Sequence, residues 1–291
     1  METLEPAVVR TAAGKAISRR EFGAMTGASF AWSLTRASSV TLGVQSYSFR
    51  DHSLDDSIAG MQKLGLRSCE LWQGHVEPTG VTREELRRWR ETVTLDTFHR
   101  IRERLSRASI KLSAYNISIT DTFSAIELER AFDMMAALGA PLITSSSNIA
   151  TVARIIPVAE RRKVVVAMHN HSRIDPNEFA TAKSLTEAMA KSKFIWTSLD
   201  VGHFTAANED AVAFLKQHHD RIATLHLKDR KRDQGPHLEL GAGDTPIIPV
   251  LKMVRDNRWP IPLNIEYEYE GGDSVDEVRK CLDYCRRALN L

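Results

Sequence analysis

The chain has 291 residues, of which 43% are hydrophobic and 26% are charged, the ordinary balance of a globular protein. Its 39 Lys and Arg residues against 37 Asp and Glu residues give a net charge of +2, which argues against a strongly basic nucleic-acid-binding surface. Three cysteines are too few for a disulfide framework. No apolar run approaches the roughly 20 residues that span a bilayer. These features leave a soluble enzyme or a soluble binding protein.

The first 39 residues differ in composition from the rest of the chain. Arg19 and Arg20 precede a weakly apolar stretch rich in Gly, Ala and Ser, roughly residues 23–34, and small residues follow it. This order is similar to a twin-arginine export signal, which would direct the protein to the periplasm. A flexible extension of a cytoplasmic protein is the alternative. We expect residues 1–39 to lie outside the folded domain, which then comprises residues 40–291.

From residue 40 onward, short runs rich in β-branched residues alternate with longer stretches of helical spacing. The densely charged stretch 82–109 predicts a pair of surface helices after the second strand. Eight strand–helix repeats in about 250 residues predict an α/β fold of one domain, the (β/α)₈ TIM barrel. A doubly wound open sheet is the alternative, weakened because no glycine-rich nucleotide-binding turn follows the first strand. The predicted strands are 41–47, 67–72, 111–115, 142–145, 163–169, 194–200, 222–227 and 263–267.

Polar residues occupy equivalent places at the ends of the last four predicted strands. His169, Asp200, His226 and Glu266 are separated by 31, 26 and 40 residues, about one strand–helix unit each. Because the C-terminal ends of barrel strands form the active-site face, we expect these four side chains to converge near the axis. Two imidazoles and two carboxylates suit one divalent metal ion, Mn²⁺ first, with Zn²⁺, Co²⁺, Fe²⁺ or Mg²⁺ as alternatives.

Around these residues the chain resembles the sugar phosphate isomerase/epimerase family, with its xylose isomerase-like TIM barrel. The motifs are Asp200-Val-Gly-His203, His226-Leu-Lys-Asp229 and the late Glu266, within a resemblance that covers roughly residues 40–291. It implies that Asp200, His226 and Glu266 are metal ligands. It also implies that His203 and Arg232 contact substrate.

Strand five departs from the family pattern. Where ketose epimerases carry a ligating Glu, this chain has His169 within the sequence His169-Asn-His171. The two-glutamate epimerase mechanism, in which one carboxylate removes a proton and the other returns it, is therefore in doubt. Glu266 remains the clearest base, with His169, His171, Lys228 or Glu178 as partners.

The resemblance implies a metal-dependent isomerase or epimerase that removes a proton next to the carbonyl of a ketose or keto-sugar, through an enediolate. Glu266 would take the proton, and Lys228 or Arg232 would stabilise negative charge. A lyase or dehydratase that expels a β-substituent from an oxidised glycoside or an inositol ketone shares this first step and is the alternative. A sugar-binding barrel without catalysis is a third hypothesis.

Weaker candidates lie near the ends of the first three strands. Tyr47 and Trp72 could stack on a sugar ring, although they could equally plug the barrel. Glu70 and Asn116 reach the same mouth only if the predicted strand register is right. We expect a small carbohydrate as partner, no nucleic acid and no membrane span, and leave a homo-oligomer open. A metal-dependent DNA-repair endonuclease of this barrel type would need further histidines on strands two and three.

Overall fold

A computed structural model describes residues 40–291, and the predicted export signal lies outside the described residues. Eight parallel strands close into a barrel in which each strand pairs with its neighbours in sequence and the last strand pairs with the first. The predicted (β/α)₈ barrel is thereby confirmed. Its strands are β1 Leu42–Gln45, β2 Ser68–Trp72, β3 Lys111–Asn116, β4 Ile143–Ser145, β5 Val166–His169, β6 Ile195–Asp200, β7 Ile222–Leu227 and β8 Leu263–Ile265.

Helices connect the strands, and two of them, α2 (Arg83–Thr92) and α3 (Asp96–Arg107), form the predicted pair after β2. Hydrogen bonds between Thr82 and Glu85 in both directions form a capping box that starts α2. Among the described residues, no helix is long and apolar enough to cross a membrane. The helices are α1 Leu54–Lys63, α2 Arg83–Thr92, α3 Asp96–Arg107, α4 Ala125–Leu138, α5 Val152–Arg162, α6 Ala182–Lys191, α7 Val201–Ala206, α8 Ala211–His218, α9 Ile247–Asn257 and α10 Ser274–Leu289.

The hydrophobic core and the barrel interior differ in character. Strand residues such as Leu71, Met168 and Leu225 are fully buried and belong to the hydrophobic core cluster that also includes the helices' apolar residues. Alternate strand positions carry polar side chains, and Glu70 hydrogen-bonds across the interior to Thr144 and Asn264, 2.6 and 2.9 Å away. Because successive side chains of a strand point to opposite faces, apolar packing and a polar interior coexist on the same strands.

The strand register sets the relative heights of the functional residues. Asp200 lies opposite His226, and His226 lies opposite Asn264 on β8. The last strand is shorter than predicted and ends at Ile265, so Glu266 is the first residue beyond it. Its N–H still donates to the carbonyl of Leu227, at 3.1 Å, and this bond keeps Glu266 at the barrel rim.

A small antiparallel hairpin, Asp229–Arg230 with His237–Leu238, follows β7 on the active-site face. The Asp229 carboxylate accepts hydrogen bonds from the backbone N–H groups of Gly243 and Thr245, at 3.0 and 3.1 Å. A Cβ at Gly243 would lie 2.0 Å from Asp229 Oδ1, so only glycine fits this close approach. This buried carboxylate thus holds the glycine turn, residues 241–245, against the hairpin.

Candidate active site

The structure brings together the four residues at the ends of strands five to eight. One potential ligand atom from each of His169, Asp200, His226 and Glu266 lies within 4.8 Å of all the others. All four residues are buried, with exposures between 0% and 8%. Strand ends that are distant in sequence thus produce one compact group of two imidazoles and two carboxylates.

Lys228 extends from the end of β7 into the same group. Its ammonium nitrogen lies 3.0 Å from both Asp200 Oδ2 and Glu266 Oε2, and it also contacts the carboxylate of Glu268. Burial alone would lower the pKa of Lys228, but these three carboxylates outweigh it and raise the pKa above its usual value. Lys228 is therefore a charged group inside the site at neutral pH.

His226 is held between two carboxylates. Its Nδ1 lies 2.9 Å from Glu266 Oε2, and its Nε2 lies 3.0 Å from Glu70 Oε2. Burial alone would lower the pKa of His226, but Glu70 and Glu266 together raise it well above the ordinary value. The ring is thereby held with Nδ1 toward Glu266 and Nε2 toward Glu70.

Glu70 occupies a different position from the one expected at the mouth of the barrel. It is fully buried below the cavity and accepts hydrogen bonds from Gln45, at 3.1 Å, and from Thr144 and Asn264. The expectation that Glu70 binds substrate needs correction, since the side chain points into the barrel interior instead of lining the cavity. Its role is to fix His226 from beneath.

The two carboxylate oxygens of Asp200 have different roles, one capping a helix and the other facing the candidate site. Oδ1 accepts a 2.7 Å hydrogen bond from the N–H of His203 and caps α7, while Oδ2 faces Lys228. The side chain of Asn170 pairs with the backbone N–H and carbonyl of Asp200, at 2.9 and 3.0 Å. Burial would raise the pKa of Asp200, but the charge of Lys228 keeps the carboxyl well below its usual range.

A cavity of about 460 Å³ opens above this group, within the usual size range of small-molecule sites. Eight of its lining residues are among those predicted from the sequence: Tyr47, Trp72, Asn116, His169, His171, His203, Lys228 and Glu266. Five were missed by the sequence reasoning: Gln45, Ser118, Ser146, His237 and Glu268.

One wall of the cavity is aromatic. The rings of Tyr47 and Trp72 meet edge to face, with centroids 4.9 Å apart and planes at 81°. Both residues are half-buried, so part of each ring remains accessible from the cavity. This wall offers the apolar ring surface on which sugars commonly stack.

Two charged residues proposed from the sequence lie away from the cavity. Arg232 is exposed, and its backbone N–H donates to Asp244 at 3.0 Å, because the hairpin turns the chain outward after Arg230. Arg230 itself is buried and donates to Nδ1 of His203 at 2.9 Å. Glu178 pairs with an exposed arginine, at 2.9 Å, and does not line the cavity.

Glu268 is the most informative of the missed residues. It follows Glu266 by two positions, and this spacing in extended chain is the signal that would have placed both carboxylates on one side. Burial raises the pKa of Glu268, and Lys228 offsets only part of that rise. For Glu266, Lys228 and His226 outweigh burial and hold the pKa below its usual range. The two neighbouring glutamates therefore differ in proton affinity.

The sequence matches the model of the xylose isomerase-like TIM barrel family over residues 58–288. The chain belongs to this family. None of the curated proteins matches the sequence significantly.

Solved structures similar to this xylose isomerase-like barrel share the fold at low sequence identity. One is the probable 3-DHS dehydratase AsbF from Bacillus anthracis, with TM-score 0.64, 16% identity, and coverage of 84% of this chain and 98% of that one. Another is the 3-keto-D-glucoside 4-epimerase YcjR from E. coli, with TM-score 0.65, 12% identity, and coverage of 86% and 100%. The IOLI protein with a binding zinc atom has TM-score 0.65, 14% identity, and coverage of 86% and 98%.

The donor atoms of this xylose isomerase-like barrel fit a divalent metal ion. Nδ1 of His169 is buried and finds no hydrogen-bond partner among residues 40–291. Burial, together with His226 and His171, lowers the pKa of His169 well below its usual value, so the ring is neutral and able to coordinate. A buried imidazole nitrogen without a partner is costly unless a ligand satisfies it. His169, Asp200, His226 and Glu266 are thus the residues that would hold the metal.

Proposed function

We propose that the protein is a divalent-metal-dependent sugar isomerase or epimerase, with Mn²⁺ as the first candidate ion. It would act by proton abstraction next to the carbonyl of a ketose or keto-sugar. The observation that carries the proposal is the group of four candidate ligands, two of which, His169 and Glu266, line a cavity of about 460 Å³ together with Lys228. The fold likeness to the E. coli 3-keto-D-glucoside 4-epimerase supports the sugar substrate.

The chain's own residues have distinct roles in this proposal. A divalent ion would polarise the substrate carbonyl and acidify the neighbouring C–H. Glu266 is ionised at neutral pH and lines the cavity, so it accepts that proton. Glu268 has the higher proton affinity and supplies a proton to the neighbouring carbon or to the opposite face. Lys228 stabilises the negative charge that develops on the substrate oxygen.

The second candidate is a metal-dependent lyase or dehydratase that expels a β-substituent from a keto-glycoside or an inositol ketone. It is favoured by His169, which stands where two-base ketose epimerases carry a glutamate, and by Glu268, a second carboxylate able to protonate a leaving oxygen. The fold likeness to the B. anthracis dehydratase AsbF adds support.

Proton exchange in D₂O, followed by NMR on a panel of ketoses, keto-glycosides and inositol ketones, tests these proposals together with metal analysis of the purified protein. Exchange with retention of all substituents supports an isomerase or epimerase, and departure of a substituent supports the lyase. Sugar binding with no exchange would indicate the non-catalytic barrel. Absence of a stoichiometric divalent ion would overturn both enzymatic proposals.

We also propose that the protein is exported through its twin-arginine segment. Arg19 and Arg20, followed by the weakly apolar stretch, support this proposal. Replacing both arginines by lysine should keep the protein in the cytoplasmic fraction of a host that has the pathway. Unchanged export of that variant would overturn the proposal.

A further inference from the structure

A second cavity adjoins the first on the active-site face. It measures about 720 Å³ and is formed by the second strand of the hairpin, by the loop that carries Glu239 and Ala242, and by residues 268–270. His237 and Glu268 line both cavities. The two cavities are therefore adjacent, and His237 and Glu268 form the partition between them.

The partition of His237 and Glu268 is in contact with the candidate active site through Lys228. His237 Nδ1 lies 3.6 Å from Glu268 Oε2, and the same carboxylate contacts Lys228 inside the first cavity. A sugar ring held over the candidate ligands would thus have Glu268 at its edge. A substituent on that edge would point toward His237 and Glu268 and toward the second cavity beside them.

The charges around the second cavity restrict what it can hold. Glu239, Glu268 and Glu270 line it, and among the described residues no Lys or Arg does so. Glu239 and Glu268 pair with Lys280 and Lys228, which stand outside this lining, whereas Glu270 has no ion-pair partner among residues 40–291. The negative charge of Glu270 disfavours an anionic group such as a phosphate or a carboxylate. Burial and the charge of Lys228 lower the pKa of His237 to about 4, so its neutral ring offers one donor and one acceptor. Carboxylates and a neutral imidazole suit hydroxyl groups.

We propose that the second cavity is a subsite for a neutral, polyhydroxylated substituent, such as a second sugar ring. The substrate would then be a keto-sugar in glycosidic linkage instead of a free monosaccharide. This inference rests on the proposed function and narrows its substrate class. His237 and Glu268, at the partition, are the residues that distinguish a substituted from an unsubstituted ring.

Two substrates test the subsite directly. One is cellobiose oxidised to a ketone at C3 of its non-reducing ring, and the other is methyl glucoside with the same ketone. Ala242 is exposed at the edge of the second cavity, so Ala242→Trp fills the cavity without disturbing the core. We expect it to raise KM for the two-ring substrate about tenfold more than for the one-ring substrate. Ala136→Trp, on the exposed face of α4, is the matched control and should change neither.

The possible results distinguish a failure of the subsite proposal from a failure of the proposed function. If wild type turns over both substrates with equal KM, and Ala242→Trp shifts both equally, the subsite is wrong while the proposed function stands. If neither substrate reacts, the D₂O exchange panel still decides the proposed function, and saturation-transfer NMR with the same cellobiose ketone decides the subsite. Transfer to the reducing ring that Ala242→Trp abolishes supports it, and no transfer to that ring overturns it. Glu270→Trp, also exposed at this cavity, repeats the test with a second variant.

Discussion

The barrel buries charge in two places that differ in how completely the polar atoms are paired. In one, both oxygens of Glu77 accept from Arg90, at 2.8 and 2.7 Å. The oxygens of Glu127 accept from Arg90 and Arg83, at 3.3 and 2.7 Å. Every carboxylate oxygen of this ion-pair network, which comprises Arg83, Arg90, Glu77 and Glu127, thus faces a guanidinium group.

In the candidate active site, pairing is incomplete. Asp200 and Glu266 share the single ammonium of Lys228, and Nδ1 of His169 has no partner within residues 40–291. Apart from the exposed Arg83, the charged residues of both groups are buried, so burial of charge does not distinguish a structural network from a reactive one. The unpaired polar atoms distinguish the two groups, because a ligand can form hydrogen bonds or coordination bonds with them.

The largest effect is expected where the site loses its candidate base. Glu266→Gln should reduce proton exchange into substrate by about 10²–10⁴-fold, since it removes both the proton acceptor and a candidate metal ligand. Circular dichroism should show an unchanged fold. Glu187→Gln, at an exposed glutamate of α6 that lines neither cavity, is the control. Activity that survives in Glu266→Gln would refute this assignment of the base.

Breaking the paired network should cost stability instead of activity. Arg90→Met leaves Glu77 and Glu127 buried without their shared cation and should lower the free energy of unfolding by about 3–5 kcal/mol. Urea denaturation measures the loss, and the folded fraction should keep its metal binding. Arg87→Met is the matched control, because the pair of Arg87 with Glu84 is exposed to solvent and contributes little to stability. Equal losses in both variants would contradict the structural role.

A substitution at Glu70 tests whether this buried carboxylate affects metal binding through its contact with His226. Glu70→Gln keeps the shape of the side chain but weakens the contact with Nε2 of His226, so metal affinity should fall about 10–100-fold. Competition with a chromogenic chelator measures the affinity. Glu127→Gln, in the ion-pair network, should leave metal affinity unchanged. The same loss in both variants would show that the effect is one of general stability.

The raised pKa of His226 makes metal uptake sensitive to pH. The charged ring stabilises the metal-free fold fully below its ordinary pKa of about 6.5, and this contribution is lost as pH rises through the higher folded pKa. A metal must displace that proton, so its affinity should increase by up to about tenfold per pH unit while His226 is protonated. Metal titrations between about pH 6 and about pH 8 test this. Affinity that does not vary with pH would exclude His226 as a protonated ligand.

The smallest effect is expected at Arg232, which the family resemblance placed at the substrate. Its exposure predicts that Arg232→Ala changes KM by no more than about twofold. Steady-state kinetics on the substrate identified by proton exchange measures it. A tenfold rise in KM would mean that the hairpin folds over the bound substrate and brings Arg232 inward.

The sequence by itself was sufficient for the barrel and for the four candidate ligands. Strand–helix alternation is a local property, and the end of each predicted strand is marked by the polar residue that follows an apolar run. Because all barrel strands are parallel, their C-terminal ends form one face, and residues at equivalent strand ends converge there. His169, Asp200, His226 and Glu266 could therefore be grouped without coordinates.

Only the tertiary structure decided which other polar residues belong to the site. Glu70 and Arg232 have sequence positions as suggestive as that of Asn116, yet one points below the cavity and the other points outward. A shift of one residue reverses the face of a strand, and the course of a hairpin depends on contacts such as that of Asp229 with its glycine turn. His237 and Glu268 meet at the partition through folding of segments about 30 residues apart. Strand periodicity carries no information about such contacts.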